Sequence, residues 1–336
     1  MADVSVVIPV RDGGDCFAEL LRALARQTVE HELVICDSGS RDESVALARS
    51  HGARVIEIAP ERFSHGRVRN ELVQASAGSH AALLTQDALP ADEHWLQRLL
   101  QGFDLAADVA LVYGPYRPRV EASLAVRGEL EAWFESLAPD GEPSVERLDA
   151  QERRALAPSE LIGRRGFFSD ANACVARAAW QRIPFRDVAY AEDRVLALDM
   201  LHAGYAKAFV PQAAVTHSHS YTTRQQLRRS FDEWRGLLEV YGWREPADPR
   251  HLASRLRGAL GQARRQLDAQ GAPPTQRPAA LAGVTAHQLA TLSGALLGSR
   301  ADRLAPTIRR RLSLEGRPGY APLSPGHAAS RDGEEL

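Results

Sequence analysis

The chain has 336 residues, 44% of them hydrophobic and 25% charged, and a formal net charge of −2. On a soft prior of roughly 100–200 residues per domain this is one large domain or two, and the balance excludes a disordered, collagenous or disulfide-stapled bulk. With 41 Lys+Arg against 43 Asp+Glu there is no basic surplus to draw nucleic acid. Cys16, Cys36 and Cys174 lack metal spacing and framework density, so they read as reduced thiols of a cytosolic protein.

Met1-Ala2-Asp3 runs straight into Val4-Ser5-Val6-Val7-Ile8-Pro9 without a basic n-region or cleavage site, so no signal peptide is expected. Val4–Val10 is a β-branched strand, and Asp15 is placed to cap a helix with Phe17, Leu20, Leu21 and Leu24 inside. Glu32–Cys36 is a second strand, with a helix around Asp42–Ser50, and Arg54–Ile58 is a third. A loop, Pro60–Gly66, precedes a helix over Arg67–Ala77. Ala81–Thr85 is a fourth strand, Asp92 is placed to cap a helix burying Trp95, Leu96 and Leu99, and Val109–Tyr113 is a fifth strand. Strands alternating with helices predict a mostly parallel sheet with helices on both faces. Ligands of such sheets sit beyond the C-terminal strand ends, which directs attention to the loops after Pro9, Cys36 and Thr85.

From Pro118 the pattern changes to a charged helix near Val120–Leu137 and then a polar stretch, Pro139–Glu160. Its Pro139, Gly141, Pro143 and Pro158 predict a mobile loop over the site or a structureless insert. Gly166–Val175 returns to the sheet, Ala191–Gly204 is a helix with a glycine C-cap, and Ala208–Val210 is another strand. Beyond Tyr221 the chain turns helical, with Leu227, Phe231, Trp234 and Leu238 on one stripe, breaks at Pro246 and Pro249, and a linker at Ala272-Pro273-Pro274. Pro278–Ser299 is uncharged but rich in Ala, Gly, Ser and Thr, a poor membrane span. Arg300–Leu314 reads as basic and amphipathic, and the tail after Pro318 as disordered.

Four groups of polar residues fall at strand or helix ends. Asp37, in Cys36-Asp37-Ser38-Gly39-Ser40, either accepts from a nucleotide base or ribose or is a turn aspartate. Asp87, in Thr85-Gln86-Asp87-Ala88, either holds Mg²⁺ or Mn²⁺ against a diphosphate or closes a turn. Glu192-Asp193 open a helix, where the dipole favours capping and weakens a carboxylate as a base. His217 and His219 are two apart, so a strand sets both rings on one face, as a metal pair requires.

Taken in order, these segments resemble the inverting family 2 glycosyltransferases of the GT-A fold, and among them the bacterial rhamnosyltransferase group. The pieces are Val4–Pro9, Asp37–Asp42, Phe63-Ser64-His65-Gly66-Arg67-Val68-Arg69-Asn70, Leu84–Ala88, Phe168-Ser169-Asp170-Ala171-Asn172, Ala191-Glu192-Asp193 and Val215–Tyr221, covering about residues 4–222. The resemblance implies an α/β GT-A domain over residues 1–222, a helical extension over 223–318 and a tail over 319–336. It places Pro9, Asp37, Arg69, Asn70 and Gln86 at the donor, with Asn70 supporting its loop, and Ser169, Asp170 and Asn172 at the acceptor. Asp87, His217 and His219 would hold Mg²⁺ or Mn²⁺; Asp193 would be the catalytic base and Glu192 its partner.

Two departures stand out. Thr85 occupies the place of the first acid of the family's D-x-D, and Val10-Arg11-Asp12 replaces the commoner Thr-Tyr-Asn. The implied donor is dTDP-L-rhamnose, used by attack from the opposite face, and the implied acceptor a sugar of a surface polysaccharide, lipid-linked where assembly is on the inner face of the cell membrane. A UDP-hexose donor, or a catalytically silent sugar-nucleotide-binding scaffold subunit, are the alternatives. For the C-terminal region, packing on the first domain, a homodimer interface and peripheral membrane contact through Arg300, Arg303, Arg309, Arg310 and Arg311 stand side by side.

Overall fold

The structure, a computed structural model, describes residues 3–161 and 163–316. In chain order the first compact unit contains β1 (Val4–Val10), α1 (Gly14–Leu24), β2 (Glu32–Asp37), α2 (Ser44–Ser50), β3 (Arg54–Glu57), α3 (His65–Ala75), β4 (His80–Leu84), β5 (Leu89–Pro90) and α4 (Trp95–Gln101). It continues with β6 (Val109–Tyr113), β7 (Tyr116–Arg117), α5 (Leu124–Leu137), β8 (Ser144–Glu146), α6 (Ala150–Ala155), β9 (Asn172–Ala176), α7 (Arg177–Arg182), α8 (Glu192–His202), β10 (Ala206–Phe209) and β11 (Val215–Thr216). The second unit holds α9 (Thr223–Tyr241), α10 (Pro249–Ala269), α11 (Arg277–Gly298) and α12 (Pro306–Leu312), with the short segments Leu156–Leu161 and Ala189–Ala191.

Eight strands form one sheet in the order β3-β2-β1-β4-β9-β6-β10-β8. The β1–β2, β2–β3, β1–β4 and β6–β10 pairs are parallel, while β9 runs antiparallel to both β4 and β6. Helices cover both faces, so β1 is buried nearly end to end and needs no polar alternation. Phe17, Leu20, Trp95 and Leu99 pack on one face; Leu72, Phe168, Trp180 and Met200 pack on the other. Pro9 sits inside β1 without breaking it. The Val10 carbonyl accepts from the Ser38 amide on the β2 side, so Pro9, one residue back, faces β4. Pairing with β4 has already ended at Val7↔Leu83, and the missing N–H costs no ladder bond.

Three helix starts differ from the sequence reading. α1 begins at Gly14, so Asp15 lies in its first turn rather than at the cap. Asp92 bonds the His94 amide (2.9 Å) and α4 starts only at Trp95. α3 starts at His65, where Ser64 caps it.

The stretch Pro139–Glu160 is neither a structureless insert nor only a loop. β8 adds an antiparallel edge strand beside β10, setting Glu146 opposite Lys207, and α6 follows. Three-residue β8 leaves no periodicity to read, and the surrounding Gly and Pro dominate the signal. A second, three-stranded sheet, β5-β11-β7, carries the chain into His217.

In the second unit, α9 opens with a capping box between Thr222 and Gln225. α11 packs on α9 where glycines allow backbone approach: a Cβ at Gly294 would lie 2.3 Å from the Leu227 carbonyl oxygen, and one at Gly298 2.3 Å from that of Phe231. The basic segment Arg300–Leu314 is not one helix. Pro306 disfavours helical geometry at Ala305, leaving a 3₁₀ turn at Ala301–Arg303 and the seven-residue α12. The tail after Pro318 lies outside the described residues.

Candidate active site

The loops after β1, β2 and β4 are tied into one floor at the C-terminal ends of their strands. Asp37, buried at the end of β2, accepts from the Gly39 and Ser40 amides (3.0 Å each) and from the Ser40 hydroxyl. Both carboxylate oxygens are therefore engaged in the turn. Asp12, with φ +47°, accepts from the Arg41 amide at 2.7 Å. Gln86 bridges β4 to β1, its Oε1 accepting from the Arg11 amide (2.8 Å) and its Nε2 donating to the Arg11 carbonyl (3.1 Å). Pro9 lies half-buried at this end of β1.

The second sheet brings the H-x-H pair to Asp87. His217 Nδ1 is 3.4 Å from Asp87 Oδ1 and His219 Nδ1 is 3.7 Å from Asp87 Oδ2. One ligand atom from each residue lies within 4.8 Å of the others. His217 is pushed down to about 4, by burial first, against the Asp87 charge that favours its cation. It is thus a neutral imidazole at neutral pH, the form that ligates metal. Its Nδ1 and Thr85 Oγ1 are buried without a hydrogen-bond partner in the protein. An orphaned imidazole nitrogen beside a carboxylate is the donor set a divalent cation completes, and the residues fit the expected ion.

Third is a carboxylate cluster. Arg69, 2% exposed, donates from Nε to Asp170 Oδ2 (2.7 Å), from Nη1 to the Leu84 carbonyl and from Nη2 to the Asp170 carbonyl (2.9 Å each). Asp193 and Glu192 open α8 close enough to feel the Asp170 charge. The helix dipole lowers a carboxyl pKa, but here burial and then Asp170 win, lifting Asp193 to about 6 despite Arg194. Glu192 is raised well above its ordinary value, by burial first and then by Asp170 and Asp193. His65 Nδ1 lies 3.8 Å from Glu192 Oε1. The residue preceding this pair, Ala191, holds φ +62°, strain of the kind that gathers at functional sites.

Not every expected residue faces open space. Arg69 lies beneath the site, spent on Asp170 and the end of β4, which makes it a positioning residue rather than a lining one. Asn70 holds α7 and the loop that follows it, accepting from Trp180 Nε1 (2.9 Å) and the Phe185 amide (3.0 Å) and donating to the Phe185 carbonyl (2.8 Å). Asn172 is fully buried in β9 and cannot face an acceptor: it accepts from Trp95 Nε1 (2.8 Å) and donates to the Pro115 and Ala213 carbonyls. Ser169 is half-buried and accepts from the Tyr116 hydroxyl.

Tyr116 escaped the sequence reading. Its ring meets His217 edge-on at 5.2 Å, and its hydroxyl reaches Ser169, next to Asp170, so it links the metal-type triad to the carboxylates. Arg119, also missed, donates to the Asp87 carbonyl (2.7 Å). Both follow β6, in a segment whose only sequence signal is a Tyr-Arg-Pro-Arg run without period.

Comparison with known proteins gives this geometry a context. Residues 5–168 match the family model described as glycosyl transferase family 2. The chain is 29% identical over 236 residues to the O-antigen chain rhamnosyltransferase RfbN of Salmonella typhimurium, covering 68% of this chain and 70% of that one. It is 28% identical over 239 residues to the O-antigen chain rhamnosyltransferase WbaN of Salmonella anatum, covering 69% and 71%. Among solved structures, the mannosyltransferase PcManGT of Pyrobaculum calidifontis, in complex with GDP-Man and Mn²⁺, superposes with a TM-score of 0.55 at 19% identity, over 90% of this chain and 86% of that one. That likeness shows the shared GT-A fold.

Proposed function

This chain is a glycosyltransferase whose residues 5–168 carry the family 2 domain, and we propose that it moves L-rhamnose from dTDP-L-rhamnose to a hydroxyl of a surface-polysaccharide saccharide. The observation that carries the donor is the similarity, over two thirds of the chain, to two enzymes named rhamnosyltransferases. We assign catalysis to residues 1–222 and read 223–318 as a helical extension.

The carboxylate cluster supplies the chemistry. As the bond from the anomeric carbon to the diphosphate breaks, that carbon gains oxocarbenium character. The acceptor hydroxyl attacks the opposite face and Asp193 takes its proton, inverting the centre so that a β-L-rhamnosyl donor gives an α linkage. A carboxylate raised to about 6 is ionised at neutral pH yet a better base than an ordinary aspartate. Glu192, raised by burial and then by Asp170 and Asp193, holds its proton more tightly than an ordinary glutamate. Arg69 holds Asp170 in place, and Asp170 with Ser169 borders the acceptor side. Asp87, His217 and His219 would hold Mn²⁺ or Mg²⁺, which offsets the charge of the leaving diphosphate. Two imidazoles make this set softer than the all-oxygen shell Mg²⁺ favours, so Mn²⁺ suits it better. Asp37, Gln86 and Pro9 shape the nucleotide floor, with Asn70 bracing it. The acceptor is read as lipid-linked, at the cytoplasmic face of the cell membrane.

A thermal-shift panel tests the donor. A ligand at about 100 times its Kd adds about 2.7 kcal/mol to the folded state, so with Mn²⁺ present dTDP-L-rhamnose should raise the Tm more than UDP- or GDP-sugars. A larger rise with a UDP-hexose would move the reading to that donor.

A further inference from the structure

We propose that the C-terminal helical unit is a docking surface for anionic lipid, made by the uncovered face of α11 and the arginines that follow it. α11 carries no charged residue between Arg277 and Arg300. Its inner face buries Val284, Gln288, Leu292 and Ala295. On the other side Ala282, Ala286, Leu289, Ser293 and Leu297 are all exposed, spaced four, three, four and four, which is one continuous stripe. Leu289 is 52% exposed and Leu297 37%, and Ile308 on α12 is 46% exposed. These are three of the five large hydrophobic side chains left exposed among the described residues, concentrated in twenty positions.

By length and composition α11 is a candidate to cross a membrane, but its inner face is committed to α9. Gln226 Nε2 donates to Thr291 Oγ1 (2.9 Å), the Ser230 hydroxyl donates to the Thr291 carbonyl (2.7 Å), and Gly294 and Gly298 admit the α9 backbone. Such a helix keeps its place in the unit and offers one apolar face to an interface.

Charge selects the occupant. Between Tyr221 and Gly316 there are sixteen arginines and eight acids, a net of +8, whereas residues 1–220 carry 23 basic and 32 acidic residues, a net of −9. Arg303, Arg310 and Arg311 are exposed beyond the C-terminal end of α11. Two copies meeting through this face would set one strongly positive unit against another, while an anionic bilayer complements both its charge and its apolar stripe. The lipid-linked acceptor of the proposed function gives this docking its purpose; lipid binding itself is read without turnover.

The test is co-sedimentation of the full chain with vesicles of mixed phosphatidylglycerol and phosphatidylcholine, and with phosphatidylcholine alone. The protein should pellet with the mixed vesicles only, and high salt should release it. At about 1 kcal/mol per arginine near the surface, R303Q/R310Q/R311Q should weaken binding about 100-fold, and R303K/R310K/R311K should restore it. L289Q/L297Q should weaken it by at least about 10-fold. All these side chains are exposed, so the variants should melt as wild type does and hydrolyse donor at its rate. A protein that stays in the supernatant at low salt, binds phosphatidylcholine equally, or is indifferent to the glutamine triple overturns the proposal. So does a dimer in sedimentation equilibrium that L289Q/L297Q dissolves while lipid binding is nil. Correct vesicle behaviour with no turnover of any donor supports the docking surface and refutes the enzymatic reading.

Discussion

Replacing Asp193 with Asn should make the protein more stable while it stops transfer. The folded carboxyl lies at about 6 against an ordinary 3.8, a rise of about two units, and each unit corresponds to about 1.4 kcal/mol. The ceiling is therefore about 3 kcal/mol; because Asp193 is partly exposed, solvent screening brings the expectation down to about 1–2 kcal/mol. The sign follows from proton binding. Between pH 3.8 and about 6 the folded state holds more protons than the unfolded one, so stability falls as pH rises through that window, and the full penalty remains above it. Asn cannot ionise and escapes the penalty. Calorimetric melts at pH 8 should show the Asn variant about 2–8 °C above wild type, using about 2–4 °C per kcal/mol for a unit of this size; near pH 4 the difference should shrink towards zero. A variant that melts at or below wild type at pH 8, or that shows the same gain at both pH values, would mean that the ionised Asp193 carries no such penalty.

Arg69→Met leaves the Asp170 carboxylate buried without its partner, so urea unfolding should show a loss of about 3–5 kcal/mol; an unchanged midpoint would mean the pair holds nothing together. Asn172→Ala strands the Trp95 indole N–H and two carbonyls, each worth about 1–3 kcal/mol when left unsatisfied, and should lower the Tm without changing donor affinity. If it instead impaired acceptor turnover at unchanged Tm, an acceptor role for Asn172 would stand after all. Asp87→Ala should abolish stimulation by Mn²⁺, with His217→Ala weaker in effect, and wild type should prefer Mn²⁺ to Mg²⁺; full wild-type activity in excess EDTA would remove the metal role of the whole triad.

The parallel half of the sheet was legible because its strands are short runs with apolar centres separated by amphipathic helices, and that alternation of elements identifies them. β8 was not, since a three-residue edge strand has no period and its Gly and Pro neighbours announce a loop. β9 was expected in the sheet, but its direction depends on how the chain returns after the Pro118–Arg165 excursion, which no local pattern encodes. Among site residues, Asp87, His217 and His219 were grouped by motif and lie together. Arg69 and Asn172 show the limit of motif reading. A motif states that a residue type is needed at a position, but not whether its side chain points into the site or under it. Tyr116 was invisible because an isolated aromatic after a strand looks like any other core residue. The raised Asp193 was hidden for a related reason: the sequence shows the helix N-terminus that would lower it, while the burial and Asp170 that raise it come from 20 or more residues away.

The most direct test is nucleotide release from dTDP-L-rhamnose in the presence of Mn²⁺, by wild type and by the Asp193→Asn variant, with donor binding measured on both by calorimetry. Release should be faster from dTDP-L-rhamnose than from UDP- or GDP-sugars and fall by about 10²–10⁴-fold in the variant, with donor affinity unchanged by the substitution. Release by the variant within a few-fold of wild type, or equal release from every nucleotide sugar, would contradict the proposed function.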